Sequence, residues 1–311
     1  MTVADDILNG DLRAAGRLMR EMDMLTPESR KALKHLFPHT GHAHIIGVTG
    51  SAGAGKSTLI AGLISHFRKQ DKSLGILVVD PSSPFTEGAV LGDRIRLQRH
   101  AMDKGVFIHS IATRGNTGGL SASVPGIVAV MDAMGKDFIL IETVGAGQDE
   151  VDVLHLAHTN IVVVTPSMGD HMQTLKAGIL ETAHIFALNK SDQPEATATH
   201  QLLEMITQTK SDAEDAWIPP IVQTQAIQHH GISELANQIH RHVTFSIQTG
   251  YQKNVSARLR GLLTLILREQ VLNKIKSELG KDDKWQDLMD RIHQKQIDPY
   301  SAAEEILNEI I

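Results

Sequence analysis

A glycine-rich segment early in the chain combines a lysine and a hydroxyl group at a spacing typical of phosphate binding. Residues 50–57 read GSAGAGKS, which matches the pattern G-x-x-x-x-G-K-[ST]. An apolar run precedes the segment and a helical pattern follows it, so its backbone N–H groups can converge on a phosphate at a helix N-terminus. We expect Lys56 to contact the β- and γ-phosphates of a nucleotide and Ser57 to bind Mg²⁺. The residues assigned to this site are Gly50, Ser51, Ala52, Gly53, Ala54, Gly55, Lys56, Ser57 and Thr58.

Two acidic residues each end an apolar run. Asp80 follows ILVV and Glu142 follows FILI. Ligands of an open parallel sheet bind at the carboxyl ends of its strands, so both carboxylates are predicted to point toward the phosphates and help to hold Mg²⁺. The segment TVGAGQ follows Glu142, and its Gly145 can bring a backbone N–H to the γ-phosphate in a loop that moves when that phosphate leaves. Lys56, Asp80, Glu142 and Gly145 are therefore the candidate catalytic residues.

A second short motif predicts which base the nucleotide carries. Residues 189–192 read NKSD and close the apolar run HIFAL. Guanine presents an N1–H and an N2 amino group on one edge, and the Asp192 carboxylate can accept both in charge-assisted hydrogen bonds, whereas adenine offers no such pair. The Lys190 stem can lie along the base, Asn189 can tie the loop to its neighbours, and Gln225 and Ala226 follow a later run where a last loop would reach the base.

Each assignment has a structural alternative. The glycine-rich segment can be a strand–helix turn without a ligand, and the loop around Gly145 can be plainly flexible. Asp80 can cap its own turn, and Glu142 can simply end a buried strand. Asp192 can cap a helix beside a solvated lysine.

The elements that must position these residues alternate along the middle of the chain. Apolar runs without polar alternation are typical of strands buried on both faces, and helical patterns between them predict a parallel sheet. We therefore predict an α/β fold, a doubly wound and mostly parallel sheet of the P-loop GTPase type, with helical extensions at both ends. The predicted boundaries are 1–43 for the N-terminal extension, 44–246 for the nucleotide domain and 247–311 for the C-terminal region. The predicted strands are 44–49, 74–80, 106–111, 138–142, 160–165, 184–189 and, more weakly, 219–224.

The last region has a different pattern. Apolar residues over 255–279 keep the spacing of one long helix, and two shorter helices follow, divided near Asp298 and Pro299. A helix outside the sheet domain must cover its apolar side, so the pattern favours a dimer face, with a core face as the alternative.

Composition limits the other functional classes. The chain has 311 residues, a formal net charge of −6 and no cysteine, which disfavours a nucleic acid partner, a disulfide framework and a thiolate metal site. The N-terminus lacks an apolar leader and no apolar run reaches the length of a membrane span, so we expect a soluble cytoplasmic chain without a membrane partner. The 17 histidines show no third ligand at fixed spacing, and surface or capping positions are favoured for them over metal binding.

Taken together, the motifs resemble the MeaB/ArgK family, the GTPase chaperones of adenosylcobalamin-dependent acyl-CoA mutases such as methylmalonyl-CoA mutase. The resemblance implies GTP and GDP as ligands, Mg²⁺ held by Ser57, Asp80, Asp93 and Glu142, a homodimer through the C-terminal helices, and a role in gating cobalamin loading and protecting the mutase. It covers roughly residues 40–311. The residues that carry it are GVTGSAGAGKST (47–58), VVDPSSPFTEGAVLGDR (78–94), ATRGNTGGLS (112–121), ETVGAGQDEVDV (142–153), LNKSD (188–192) and DPYSAAEEIL (298–307).

Other classes use the same phosphate loop. A nickel-insertion GTPase would usually carry Cys/His motifs, and the absence of cysteine argues against it. A small-molecule kinase or an ATPase accessory to amino-acid transport would usually select adenine, which the NKSD motif opposes. In the loop after the fifth strand, Ser167 and His171 stand where the family usually has a glycine and an acid.

Overall fold

The computed structural model describes ten stretches of the chain, which fall into two compact units, Met1–Arg258 and Leu259–Ile311. The predicted boundaries near 43 and 246 stay predictions. Asp93, Gly145, Ser167 and His171 lie outside the described residues. The described residues are 2–22, 26–80, 97–112, 123–143, 156–166, 180, 182–208, 217–249, 253–279 and 282–310.

The first unit is built on a parallel sheet, as predicted. The described strands follow the order β3-β2-β4-β1-β5-β6-β7, and every pairing between them is parallel. Each begins and ends within two residues of a predicted strand. The strands are β1 (His44–Gly50), β2 (Leu74–Asp80), β3 (Val106–Ala112), β4 (Phe138–Glu142), β5 (Thr159–Val164), β6 (Ile185–Asn189) and β7 (Ile221–Thr224).

Helices lie between and beyond these strands. The described α-helices are α1 (Val3–Leu8), α2 (Leu12–Met22), α3 (Pro27–Leu36), α4 (Lys56–Arg68), α5 (Ser123–Ala133), α6 (Ala196–Gln208), α7 (Ile232–Gln248), α8 (Lys253–Leu279), α9 (Asp282–His293) and α10 (Pro299–Ile310). Short 3₁₀ turns occupy Phe37–His39, Gln98–His100 and Ala226–Gln228. The long helix and the two shorter ones predicted near the C-terminus are all present.

Helices cover both faces of the sheet, which explains the unbroken apolar runs. Ile161 and Val163 of β5 belong to a core that includes residues of α4 and α7. Val162 and Val164 point to the other face and pack with Leu203 of α6. Because successive residues of a strand alternate between faces, a strand covered on both sides needs apolar residues at every position. The doubly wound arrangement is thereby confirmed.

The N-terminal helices are attached to the sheet domain through α5. Helix α3 begins where predicted, with Thr26 accepting a hydrogen bond from the Ser29 N–H at 3.1 Å and proline in the first turn. Helices α2 and α3 both contact α5. The Asp132 carboxylate on α5 accepts backbone N–H groups from the segment that leads into β1, which fixes the start of the sheet. Its donors are Gly41 at 2.6 Å, His42 at 3.1 Å and Ala43 at 2.9 Å.

The second unit contains a helical hairpin. Arg291 of α9 makes paired hydrogen bonds to Glu305 of α10, at 2.9 Å to Oε1 and 3.0 Å to Oε2. This guanidinium lowers the pKa of the Glu305 carboxyl from its ordinary value. Leu288 of α9 and Ala302 of α10 are buried. The bidentate geometry therefore fixes the register of the two helices.

Several histidines serve the fold at the amino ends of the strands. His158 and His184 accept backbone N–H groups from Ile45 and Asn160, each at 2.9 Å, which agrees with a capping role. His242 differs from the surface position expected for it, because its ring is fully buried against Trp217 and lies 2.8 Å from the Thr159 hydroxyl. Among the described residues, no group of three or more His, Cys, Asp or Glu side chains is arranged to hold a metal ion.

The buried His242 should make stability depend on pH. Burial lowers its pKa from the ordinary value near 6.5 to about 4. The unfolded chain therefore binds more protons than the folded one below about pH 6.5, and the free energy of unfolding should fall as the pH drops toward 4, by up to about 3 kcal/mol. Urea unfolding at several pH values tests this. His242→Asn, which can keep the hydrogen bond to Thr159 but cannot titrate, should show a shallower dependence, and equal slopes in the two proteins would contradict the assignment.

Candidate functional site

The phosphate loop lies between the carboxyl end of β1 and the first turn of α4. Gly55 caps α4 with φ 94°, and a Cβ at this position would collide with the Asn189 amide nitrogen. Gly50 has φ 141°, and a Cβ there would collide with the carbonyl oxygen of Val163. Both positions therefore require glycine, for conformation and for space. The loop opens onto the N-terminus of α4, where backbone N–H groups and the helix dipole favour an anion.

Three side chains predicted to handle phosphate and metal meet at this edge of the sheet. Lys56 Nζ donates to the carbonyl oxygens of Gly50 at 2.7 Å and Ser51 at 3.0 Å. The Ser57 hydroxyl donates to Glu142 Oε1 at 2.6 Å. Lys56, Ser57 and Glu142 are 6%, 5% and 4% exposed. The ammonium is thus bound to the loop carbonyls, and the hydroxyl to the carboxylate, at the adjacent buried positions 56 and 57.

The remaining predicted metal and switch residues are described only in part. Asp80 ends β2, which pairs with β4 so that Val78 lies opposite Glu142. The backbone of Asp80 therefore lies at the same edge of the sheet as Glu142. Asp93 and Gly145 fall outside the described residues, and their assignment stays a prediction.

Asn189 joins the phosphate loop to the loops expected to contact the base. Its Nδ2 donates to the carbonyl oxygen of Ala54 at 2.8 Å. Its Oδ1 accepts the backbone N–H of Ala226 at 3.0 Å and the Thr224 hydroxyl at 3.2 Å. The residue is 3% exposed. One buried amide therefore connects segments that follow β1, β6 and β7.

The rest of the NKSD segment forms a turn held against β7. Lys190 takes a positive φ of 58°, and the Ser191 N–H donates to the Thr224 carbonyl oxygen at 3.2 Å. Lys190 is half-buried, and the Asp192 side chain is exposed. Gln225 exchanges backbone hydrogen bonds with His230, at 3.1 and 3.2 Å, which closes the neighbouring loop. The Asp192 carboxylate is thus exposed on a turn that main-chain contacts fix in place.

Sequence reasoning missed the hydroxyl groups that surround these motifs. Thr224 is fully buried and supports Asn189, while Thr49 and Thr143 are buried beside the phosphate loop and Glu142. The available signal was a polar residue at or next to the carboxyl end of an apolar run, which the chain shows in all three cases. None of the described helices is long and apolar enough to cross a membrane.

Comparison with known proteins places the site in a family context. The family model described as "Methylmalonyl Co-A mutase-associated GTPase MeaB" matches residues 17–280. A Pyrococcus abyssi protein described as "putative GTPase" is 43% identical over 97% of this chain and 94% of its own length. The Caenorhabditis elegans "methylmalonic aciduria type A homolog, mitochondrial" is 29% identical over 73% of this chain and 57% of its own length.

A solved structure shares the architecture. The crystal structure of a protein titled "LAO/AO transport system kinase" superposes with a TM-score of 0.73 at 20% identity, over 99% of this chain and 96% of that one. At that level of identity the likeness extends to the fold.

Proposed function

The chain belongs to the MeaB family of methylmalonyl-CoA mutase-associated GTPases, and from this premise we propose that its GTP and GDP states control an adenosylcobalamin-dependent acyl-CoA mutase. The observation that supports the GTP site most directly is the Asn189 amide, which holds the phosphate loop and the base loops together. A phosphate site and a guanine motif that share one buried residue form a single nucleotide site. The residues and steps below are assigned on that basis.

At the phosphate end, the lysine and the helix terminus supply positive charge. Lys56 is held at the mouth of the loop by two carbonyl oxygens, so its ammonium is placed to stabilise charge on the β- and γ-phosphates. The N–H groups of residues 51–58 add donors that need no rearrangement at the moment of reaction. Gly145 is proposed to contact the γ-phosphate and to carry the change that follows hydrolysis.

The same end fits Mg²⁺. The hydroxyl of Ser57 and the carboxylate of Glu142 are oxygen donors at a buried position 2.6 Å apart, and Mg²⁺ prefers oxygen ligands. Ser57, Asp80, Asp93 and Glu142 are the proposed ligands. When bound, the ion would neutralise phosphate charge, while the protein groups hold the nucleotide in position.

At the base end, Asp192 is proposed to select guanine. The carboxylate is exposed on a fixed turn, where it can accept from N1–H and the N2 amino group. The Lys190 stem can cover the base, and Gln225 and Ala226 lie in the loop that Asn189 holds close to the phosphate loop.

The mutase partner is supported by the family description and by the printed name of the C. elegans relative, which refers to methylmalonic aciduria. Loops at the carboxyl edge of the sheet can sense the γ-phosphate and present a different surface after hydrolysis. We assign this change to gating of cobalamin loading and to protection of the mutase.

A second copy of the chain is the proposed occupant of an apolar face on α8. Leu259, Leu263 and Leu267 repeat every four residues along this helix and are 53%, 56% and 50% exposed. Residues four apart lie on one helical face, so the three side chains form a continuous stripe. Covering it with the same stripe of another copy would give a twofold homodimer.

The mutase proposal predicts a complex whose affinity depends on the nucleotide. The purified chain and the mutase from the same source should bind with different affinities in GDP and in a non-hydrolysable GTP analogue, and GTP turnover should rise when the mutase is added. Calorimetry and phosphate release measure the two effects. Lys56→Ala serves as the control, because loss of the phosphate contact should remove the difference between nucleotide states. No complex and an unchanged rate would remove the mutase role and leave the GTPase assignment intact.

A further inference from the structure

A pair of buried threonines joins the strands that carry the phosphate loop and Glu142. The Thr143 hydroxyl lies 3.1 Å from the Thr49 hydroxyl oxygen and 3.5 Å from the Val48 carbonyl oxygen, and the shorter contact is its hydrogen bond to Thr49. Thr49 is fully buried and Thr143 is 2% exposed. The Thr143 N–H also donates to the Val48 carbonyl oxygen at 3.1 Å. Val48 lies opposite Glu142 in the register of β1 and β4, so this contact extends the ladder one step past the end of β4.

Each threonine is adjacent in sequence to a group of the phosphate site. Thr49 precedes Gly50, whose carbonyl oxygen accepts from Lys56 Nζ at 2.7 Å. Thr143 follows Glu142, whose Oε1 accepts from the Ser57 hydroxyl at 2.6 Å. The hydroxyl pair therefore links the two chain segments that set the separation between the ammonium and the carboxylate.

Packing alone does not require hydroxyl groups at positions 49 and 143. Ile46 and Val48 of β1 and Ile141 of β4 are fully buried apolar residues, and valine has nearly the shape of threonine. A buried hydroxyl carries a desolvation cost that its hydrogen bond offsets, and replacing both partners by apolar groups of the same shape is close to neutral for stability. What the pair adds over two valines is a directional contact between the ends of the strands.

We propose that Thr49 and Thr143 are positioning residues that hold Glu142 in register with Lys56 and Ser57 during GTP hydrolysis, an inference that rests on the phosphate site assigned above. Parallel strand ends joined only by backbone bonds and apolar contacts can shift against each other by fractions of an ångström. Reaction rates are sensitive to such shifts, since a misplacement of about 1 Å at reacting groups can lower a rate about 10²-fold. The hydrogen bond between the two hydroxyl groups restricts that shift at the point where the paired strands β1 and β4 end and the loops that follow them begin.

The test compares Thr49→Val, Thr143→Val and the double variant in GTP turnover, Mg²⁺ titration and thermal unfolding. Loss of one hydrogen bond corresponds to a fall in kcat of about 5- to 10-fold in each single variant. The double variant should fall no further than the singles, because both remove the same contact. The Mg²⁺ concentration for half-maximal rate should rise, the melting temperature of the double variant should stay near that of the parent, and Thr143→Ser should recover most of the rate.

The control is Thr207→Val on α6, a buried threonine whose hydroxyl donates to the Glu204 carbonyl within its own helix at 3.0 Å. It should leave kcat unchanged. Three outcomes would each overturn the proposal. The valine variants could turn over GTP at the rate of the parent, the losses could multiply in the double variant, or a valine variant could be unfolded at the assay temperature. Lys56→Ala is measured in the same assay. If that variant turns over GTP at the parent rate, the phosphate site itself is misassigned. If it loses turnover while the valine variants keep theirs, only the role of the threonines is refuted.

Discussion

Replacing Lys56 by alanine is expected to lower GTP turnover by about 10²- to 10³-fold, the usual effect of removing one preorganised donor from a developing charge. Lys56 is 6% exposed, and its ammonium is held by the carbonyl oxygens of Gly50 and Ser51, so the alanine variant loses a positive charge that the loop fixes in place. Single-turnover phosphate release at saturating GTP measures the chemical step. The effect should appear mainly in kcat, because contacts to the base remain.

A matched control for this variant is Lys69→Ala. Lys69 is an exposed lysine that follows the last turn of the same helix, α4, away from the loop. It should keep the parent rate. Equal turnover in the Lys56 variant and the Lys69 variant would show that the loop does not serve the reaction.

Replacing Asp192 by asparagine is expected to weaken GTP binding by roughly 10²- to 10³-fold, since two charge-assisted hydrogen bonds to guanine are lost. The new amide can accept from N1–H and donate to a 2-oxo group, so xanthosine triphosphate should gain affinity in the variant. Competition between fluorescent guanine and xanthine nucleotides measures the switch. The loss of affinity should be specific to guanine nucleotides, and the rate of hydrolysis should change little once xanthosine triphosphate is bound.

Glu195→Gln removes an exposed carboxylate three residues further along the same turn and should leave the preference for guanine intact. An Asp192 variant with the parent preference would place base recognition elsewhere. Equal affinity of the parent for ATP and GTP would do the same.

The fold was predictable because the signals are local. Strands such as Phe138–Glu142 are short apolar runs closed by a polar residue, and their boundaries could be read within two positions. The phosphate loop was predictable for the same reason, since the glycines and Lys56 act through spacing within one turn. Both depend on neighbours in sequence, which the chain displays directly.

What could not be predicted depends on contacts between distant segments. The Asn189 amide reaches the Ala54 carbonyl because the sheet order places β6 near β1, with only β5 between them, and nothing near residue 189 encodes that partner. The Thr49–Thr143 contact arises in the same way from the pairing of β1 with β4. His242 is buried by Trp217 and Thr159, neither of which lies on its own helix, so the surface position expected for it was wrong.

The Asn189 bridge also bears on how strongly separate pieces of a nucleotide can bind. One buried amide fixes the distance between the phosphate loop and the base turn before any ligand arrives. The base and the triphosphate of GTP are covalently linked. Once the triphosphate is bound, the base is therefore present at a high effective concentration near the 189–192 turn, and its binding costs little further translational and rotational entropy. Intact GTP therefore gains an affinity that neither guanosine nor inorganic pyrophosphate can reach alone.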